Sequence, residues 1–312
     1  MRALVLSNMQ PDPAHPERGS FVRDQVAALR ALGGAEIELH EFPPGPAALM
    51  RAPRRLRKRF GGTGSFDVVH AHFGLTAWPA LAVPAHARAL TLHGTDLRHP
   101  RTRLLTLAAL PTVTLLATAS EALAHELPPR AARRAQVLPC GVDLDRFRPL
   151  PRAEARAGLG LEPDGRYALF AADPDRPEKR HDRAQALAQR AGAQLLTLGG
   201  VEPRLVPLLV NAADAVLVPS EREGFGLAVL EALACDVPVL ATPVGIHPQA
   251  LADVPGTLCA PFELESWGAA LRPLLAQPDP RVAGRASAER WSSERMAQRV
   301  LDAWSVARGR AG

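Results

Sequence analysis

Short apolar runs alternate with longer amphipathic stretches along this chain. In the first half, Arg2–Ser7, Glu36–Glu41, Asp67–Ala71, Ala89–His93 and Thr112–Ala119 have the length and residue character of strands. Phe21–Leu32, with apolar residues three and four apart, reads as a helix between the first two. A fresh start comes at Arg166–Ala171, followed by a helix over Asp182–Ala191, a strand over Gln194–Leu198 and a helix over Pro203–Ala212. Next comes a βαβ unit with strands Ala215–Val218 and Val237–Ala241 around a short helix, Leu227–Ala234. Such alternation predicts an α/β fold with doubly wound parallel sheets, in two tandem Rossmann-like halves. The stretch Pro149–Pro163, rich in Pro, Gly and charge, reads as the hinge, and Trp291–Val306 reads as a terminal helix. The expected domains are residues 1–148 and 149–290, with a closing helix at about 291–312.

Composition narrows the picture. A chain of 312 residues suits two domains, and 47% hydrophobic content with only 4% aromatics predicts cores built from Ala, Leu and Val. Cys140, Cys235 and Cys259 cannot all pair, and no charged-then-apolar signal opens the chain, so a reducing cytoplasm is the expected location. Leu104–Ser120 is uncharged, but Pro111 interrupts it, and we read it as a helix end followed by a strand. The net charge of +5 sets 37 basic residues against 32 acids, and much of the excess is local. Arg51, Arg54, Arg55, Arg57, Lys58 and Arg59 put six cations into nine residues. That cluster suits peripheral contact with an anionic inner membrane face, or else a solvated surface helix or loop. It lacks the zinc spacing or interleaved aromatics of a nucleic-acid site. Neither half carries Gly-x-Gly-x-x-Gly after its first strand, which argues against a dinucleotide oxidoreductase.

The richest segment is Glu223–Glu231, EGFGLAVLE. Gly224 and Gly226 fall in the turn feeding the helix Leu227–Ala234, where free amides and the positive dipole end suit a phosphate. Two acids flanking that site, Glu223 and Glu231, would meet the uncharged or developing-positive part of the same ligand, as in a sugar nucleotide. Ordinary capping by acids is the plain alternative. Arg176 and Lys179, with Arg180 as a spare, follow the first strand of the second half, at the strand ends where doubly wound sheets bind ligands. Asp173-Pro174-Asp175 mimics a metal-binding Asp-x-Asp and reads as accidental. His70 and His72 share a strand face but lack a third ligand, so they read as structural or as lining a cleft.

PSEREGFGLAVLEALACDVPVLATPVG resembles the nucleotide-sugar signature of the retaining glycosyltransferases of family 4. The shared frame is Pro219-Ser220, Glu223-Gly224-Phe225-Gly226, Glu231-Ala232, Pro238 and Gly245. His93-Gly94-Thr95-Asp96 and Gly19-Ser20 are similar to two first-half motifs of the same family. The resemblance implies the GT-B fold, two Rossmann-like domains facing a cleft, with the last helix crossing back onto the first domain. It implies that Arg176, Lys179 and the amides of Gly224, Phe225, Gly226 and Leu227 hold a diphosphate, and that Glu231 holds the ribose hydroxyls. Glu223 and His93 would face the transferred sugar, and Gly19 would approach donor phosphate and acceptor. No metal and no cofactor beyond the nucleoside diphosphate sugar is implied.

The chain departs from the family at Cys140, where an asparagine is usual, and at Ile246 and Gln249, in place of a glycine and a glutamate. The expected function is retaining, metal-independent sugar transfer to a glycan, lipid or small-molecule acceptor, with the second half binding donor. The departures and the modest length keep open a non-catalytic nucleotide-sugar binder, and a third reading is an epimerase on the same fold.

Overall fold

The computed structural model describes residues 1–62 and 64–311. Its contacts divide the chain into one unit of Met1–Asp12, Arg18–Gly141 and Ser293–Gly312 and a second of Pro13–Glu17 and Val142–Ser292. The division falls at Gly141/Val142 rather than at residue 148, and five residues of an early loop group with the second unit.

The first unit is built on β1 (Arg2–Ser7), β2 (Glu36–Glu41), β3 (Phe66–His72), β4 (Ala85–Leu92), β5 (Leu115–Thr118) and β6 (Gln136–Val137). All pair in parallel, in the order β2-β1-β3-β4-β5-β6. The chain runs outward from β1 to β2 and then returns to place β3 on the other side of β1. This reversal lies between β1 and β3, and the carboxyl ends of strands at such a point are where sheets of this kind take ligands. Helix Ser20–Leu32 buries Val22, Val26 and Leu29 on one face, in the same core as Ala3 and Val5. The C-terminal helix Ser293–Ala311 adds Met296, Val300 and Trp304 to that core. Burying an aliphatic side chain of this size contributes about 1.5–3 kcal/mol.

The second unit carries β7 (Tyr167–Phe170), β8 (Gln194–Thr197), β9 (Ala215–Val218), β10 (Val239–Ala241) and β11 (Leu258–Cys259). The order β11-β10-β9-β7-β8 is again wholly parallel, and its reversal lies between β7 and β9. Phe170 pairs with Leu217, so the loops leaving these two strands start abreast.

Three expectations are corrected. The strand foreseen over Thr112–Ala119 is shorter, because Pro111 sits in a 3-10 turn, Leu110–Thr112, ahead of β5. The strand foreseen from Val237 starts at Val239. The supposed hinge Pro149–Pro163 contains a packed helix, Arg152–Leu159. Arg156 in that helix is 1% exposed, donates to both carboxylate oxygens of Asp214 at 3.1 Å and lies over the Tyr167 ring. Arg152 binds the same carboxylate, and Asp214 also accepts from the Tyr167 amide at 2.8 Å. Charge in this stretch anchors the second unit to its first strand instead of loosening a linker.

Candidate functional site

In the second unit, the loops leaving β7 and β9 meet at the strand reversal. The first makes a 3-10 turn, Pro177–Lys179, and the second runs through Glu223 to Gly226, which caps the helix Leu227–Ala234. The Glu221 amide donates to the Glu178 carbonyl at 2.9 Å and ties the loops together. Lys179 Nζ donates to both oxygens of Glu223, at 2.7 and 2.6 Å, with the two side chains 13% and 7% exposed. Burial acts to raise the Glu223 carboxyl, but Lys179, His247 and Ser220 together hold it below its ordinary range. Glu223 is therefore an ionised group in a poorly solvated place. Pairing that leaves the environment polar and charged makes such a group a candidate for function.

The other second-half cations are held differently. Arg176 is half-exposed and donates to Glu178 at 2.8 and 3.1 Å. Arg180, in a left-handed backbone conformation, donates to Asp182 at 2.8 and 2.6 Å and to Glu221 at 2.5 Å. Arg180 is thus fully engaged by surface acids, and Lys179 is the cation that reaches the buried carboxylate. Glu231 lies half-buried in the second turn of the helix begun by Gly226. Asp173 accepts from the Asp175 amide at 3.0 Å, so part of the Asp-Pro-Asp stretch closes its own turn. Asp173 also gathers with His15 and Glu17, their ligand atoms within 4.8 Å of one another. His15 Nδ1 lies 3.5 Å from a Glu17 carboxylate oxygen.

The segment after β10 completes the turn. Gly245 has φ 58°, and a Cβ there would fall 2.3 Å from the Phe225 carbonyl oxygen and 2.9 Å from Glu223 Cβ. Only glycine fits both that backbone and that contact. Ile246, by contrast, has φ −86°, which any residue adopts, and its amide donates to Phe225 at 2.8 Å. Loss of the family's second glycine costs this backbone nothing. His247, which the sequence reading passed over, is fully buried and places Nδ1 2.8 Å from the Thr242 carbonyl. Its signal in the sequence is a histidine two residues after Gly245, in the same turn as Ile246 and Gln249.

In the first unit, three histidines stack. His70 and His72 have ring centroids 4.6 Å apart, and His72 and His93 5.2 Å. Trp304 Nε1 donates to His70 Nδ1 at 3.1 Å, so His70 carries its proton on Nε2 and donates it to Thr91 at 2.8 Å. His72 Nδ1 and His93 Nε2 are 3.0 Å apart. His72 Nε2 is buried without a partner, and a bare lone pair there is less costly than a stranded N–H. His72 therefore donates from Nδ1 to His93 Nε2, which leaves His93 with its proton on Nδ1. Burial pushes both His70 and His93 down to about 3, and His72 well below its ordinary value. The three rings form a neutral column.

Asp96 shapes the turn that carries His93. Its carboxylate accepts from the amides of His93, Gly94 and Gly74, and burial still raises it. Gly19 caps the helix Ser20–Leu32 at φ 69°, where a Cβ would fall 2.5 Å from the Met9 carbonyl oxygen. Cys140 is half-buried with its thiol pushed up to about 12 by burial, which disqualifies it as a nucleophile.

Residues 163–291 match the family described as Glycosyl transferases group 1, and residues 4–146 match Glycosyltransferase Family 4. A D-inositol 3-phosphate glycosyltransferase of Actinosynnema mirum is 33% identical over 97% of this chain and 86% of its own. Relatives of the same description from Segniliparus rotundus and Mycobacterium bovis, 35% and 36% identical, align over 56% and 50% of this chain but over less than half of their own length, 47% and 39%. Among solved structures, sucrose-phosphate synthase from Thermosynechococcus elongatus gives a TM-score of 0.72 at 19% identity, covering 98% of both chains. Anabaena HepE in complex with UDP and glucose gives 0.71 at 16%, covering 97% of this chain and 99% of that one. At such identities the structural likeness shows the fold alone. The chain belongs to the glycosyltransferases of family 4, and its two parallel α/β domains have the GT-B fold.

Proposed function

We propose that the protein is a retaining, metal-independent glycosyltransferase that moves a sugar from a nucleoside diphosphate sugar to a glycan, lipid or small-molecule acceptor. The observation that carries this reading is the meeting of Lys179 and Glu223 beside the glycine-capped start of Leu227–Ala234. A diphosphate leaving group needs cations and aligned amides, and Lys179, Arg176 and the amides from Gly224 to Leu227 supply both. Glu231 takes the ribose hydroxyls. Glu223 and His93 take the transferred sugar, and the Gly19 loop offers its amides to the donor phosphate and the acceptor. HepE, a protein of the same fold, has been solved with UDP-glucose, which favours a donor of that class here. The bond from the anomeric carbon to the diphosphate oxygen breaks, the acceptor oxygen bonds on the same face, and the departing phosphate takes the acceptor proton.

The test is a panel of UDP, GDP and ADP sugars, scored by nucleotide release and by glycosylated product. Glu223→Ala and Lys179→Ala should each lower kcat/KM by about 10²–10³ while the fold survives. Full activity in both variants would remove these roles. Donor binding without turnover across acceptors would make the protein a binder.

The acceptor class has its own support. The helix Pro46–Phe60 buries Ala52, Leu56 and Phe60 and exposes Arg51, Arg54, Arg55, Arg57, Lys58 and Arg59. It packs beside Ala77–Ala80, where Trp78 and Leu81 are exposed, and Trp78 Nε1 donates to the Leu105 carbonyl at 3.2 Å. No helix among the described residues is long and apolar enough to cross a membrane. A basic face with apolar side chains at its flank fits peripheral contact with an anionic membrane from the cytoplasmic side, and so a lipid-borne acceptor.

A further inference from the structure

His247 has no part in the roles above. Its Nδ1 meets the Thr242 carbonyl oxygen, which can only accept, so Nδ1 carries a proton. In the neutral ring Nε2 is then a bare lone pair, and this buried nitrogen has no hydrogen-bond partner. It lies against the glycine that starts Leu227–Ala234, for a Cβ on Gly226 would fall 2.6 Å from it. Burial, the largest influence on the ring, holds it neutral below its ordinary range; Glu223 favours its proton, and Lys179 opposes it. Those two are the charged groups acting on it, one from each loop at the strand reversal.

Lys179 is doubly bonded to Glu223, while the donor reading asks it to hold a diphosphate. Moving the ammonium to phosphate would take from Glu223 the positive charge bonded to both its oxygens, in a poorly solvated place where a carboxylate lacking a counter-charge is costly. The same move removes the charge that opposes a proton on His247. We propose that His247 is a positioning residue for the donor: when a nucleoside diphosphate draws Lys179 off Glu223, Nε2 takes a proton from solvent and the ring becomes the counter-charge of Glu223. Glu223 then stays ionised and in place for the sugar. Donor binding is accordingly linked to proton uptake. This inference rests on the donor reading given above.

The test is calorimetric titration of the whole chain with UDP, GDP and ADP near neutral pH, in buffers of different ionisation enthalpy. The wild type should take up a substantial fraction of one proton per nucleotide. His247→Gln should bind with that uptake lost, and subtracting its titration cancels the nucleotide's own phosphate protonation. Lys179→Met, with the opposing charge already gone, should also show the uptake lost, with weaker binding. Binding with no uptake in the wild type, or undiminished uptake in His247→Gln, overturns the role of His247 and leaves the donor reading intact. Should His247→Gln fail to fold, undiminished uptake in Lys179→Met overturns it equally. Failure of all three nucleotides to bind a folded wild type overturns the donor reading and this inference together.

Discussion

At the scale of single residues, the second unit's loops are set by contacts that tolerate one side chain. Gly226 has φ 105°, and a methyl group on it would meet His247 Nε2. Gly226→Ala should lower stability by about 1–3 kcal/mol from backbone strain alone, with the ring contact adding to it. Gly158 is the control, a glycine inside the helix Arg152–Leu159 whose nearest neighbour to a new methyl is Leu208 at 3.9 Å. Gly158→Ala should be neutral or stabilising by about 0.5–1 kcal/mol. Urea melts of the two variants check this, and equal effects would show that the Gly226 turn carries no special constraint. The glycines and acids of this turn were legible in the sequence because their spacing is itself the signal. The bond between Lys179 and Glu223 was not, since 44 residues separate them and only the pairing of β7 with β9 brings their loops together. The histidine column is hidden for the same reason: the sequence puts His70 and His72 on one strand face, but stacking onto His93 depends on the register of β3 against β4.

Whole elements were readable where burial dictates the pattern and misread where composition misled. The central strands are buried on both faces and so appear as continuous apolar runs. The helix Arg152–Leu159 was hidden by flanking prolines and by charge that turns inward to Asp214. The reverse holds for Pro46–Phe60, visible in the sequence only as charge and now seen as a helix whose apolar residues dock inward while its cations face solvent. That arrangement predicts binding to vesicles rich in anionic lipid, weakened by added salt. Reversing Arg54, Arg55 and Lys58 to Glu removes three cations worth about 1 kcal/mol each at such a surface, so partitioning should fall by more than about a hundredfold. Trp78→Ser should weaken binding without changing its salt dependence. Sedimentation with vesicles measures both effects, and binding indifferent to the charge reversal would discard the membrane contact and its bearing on the acceptor.

Over the whole molecule, buried charge is handled differently in the two units, and acid should separate them. The first unit keeps His70 and His72 neutral and fully buried, with His70 at about 3 and His72 well below its ordinary value because burial disfavours the charged ring. Unfolded histidines titrate near 6.5, so below that pH the unfolded chain binds more protons than the folded one. Stability is then lost as pH falls, by up to about 1.4 kcal/mol per pH unit for each ring. The second unit carries one comparable ring, His247, whose proton Glu223 favours, so its loss over the same range should be shallower. The carboxyls enter later: Glu223, held low, withdraws its support only as pH falls below its ordinary value, and Asp96, raised, offsets part of the first unit's loss there. Between about pH 6.5 and 5 the histidines therefore govern the slope. Hydrogen exchange in moderate urea across this range should show protection falling faster in β3, β4 and Ser293–Ala311 than in β7 and β9. The C-terminal helix belongs with the sensitive set because Trp304 donates to His70, a bond that protonation of His70 Nδ1 would destroy. Equal slopes in the two sets, or a first unit whose protection is flat to pH 5, would mean that the column takes up protons without unfolding and that its neutrality is not what holds the helix in place.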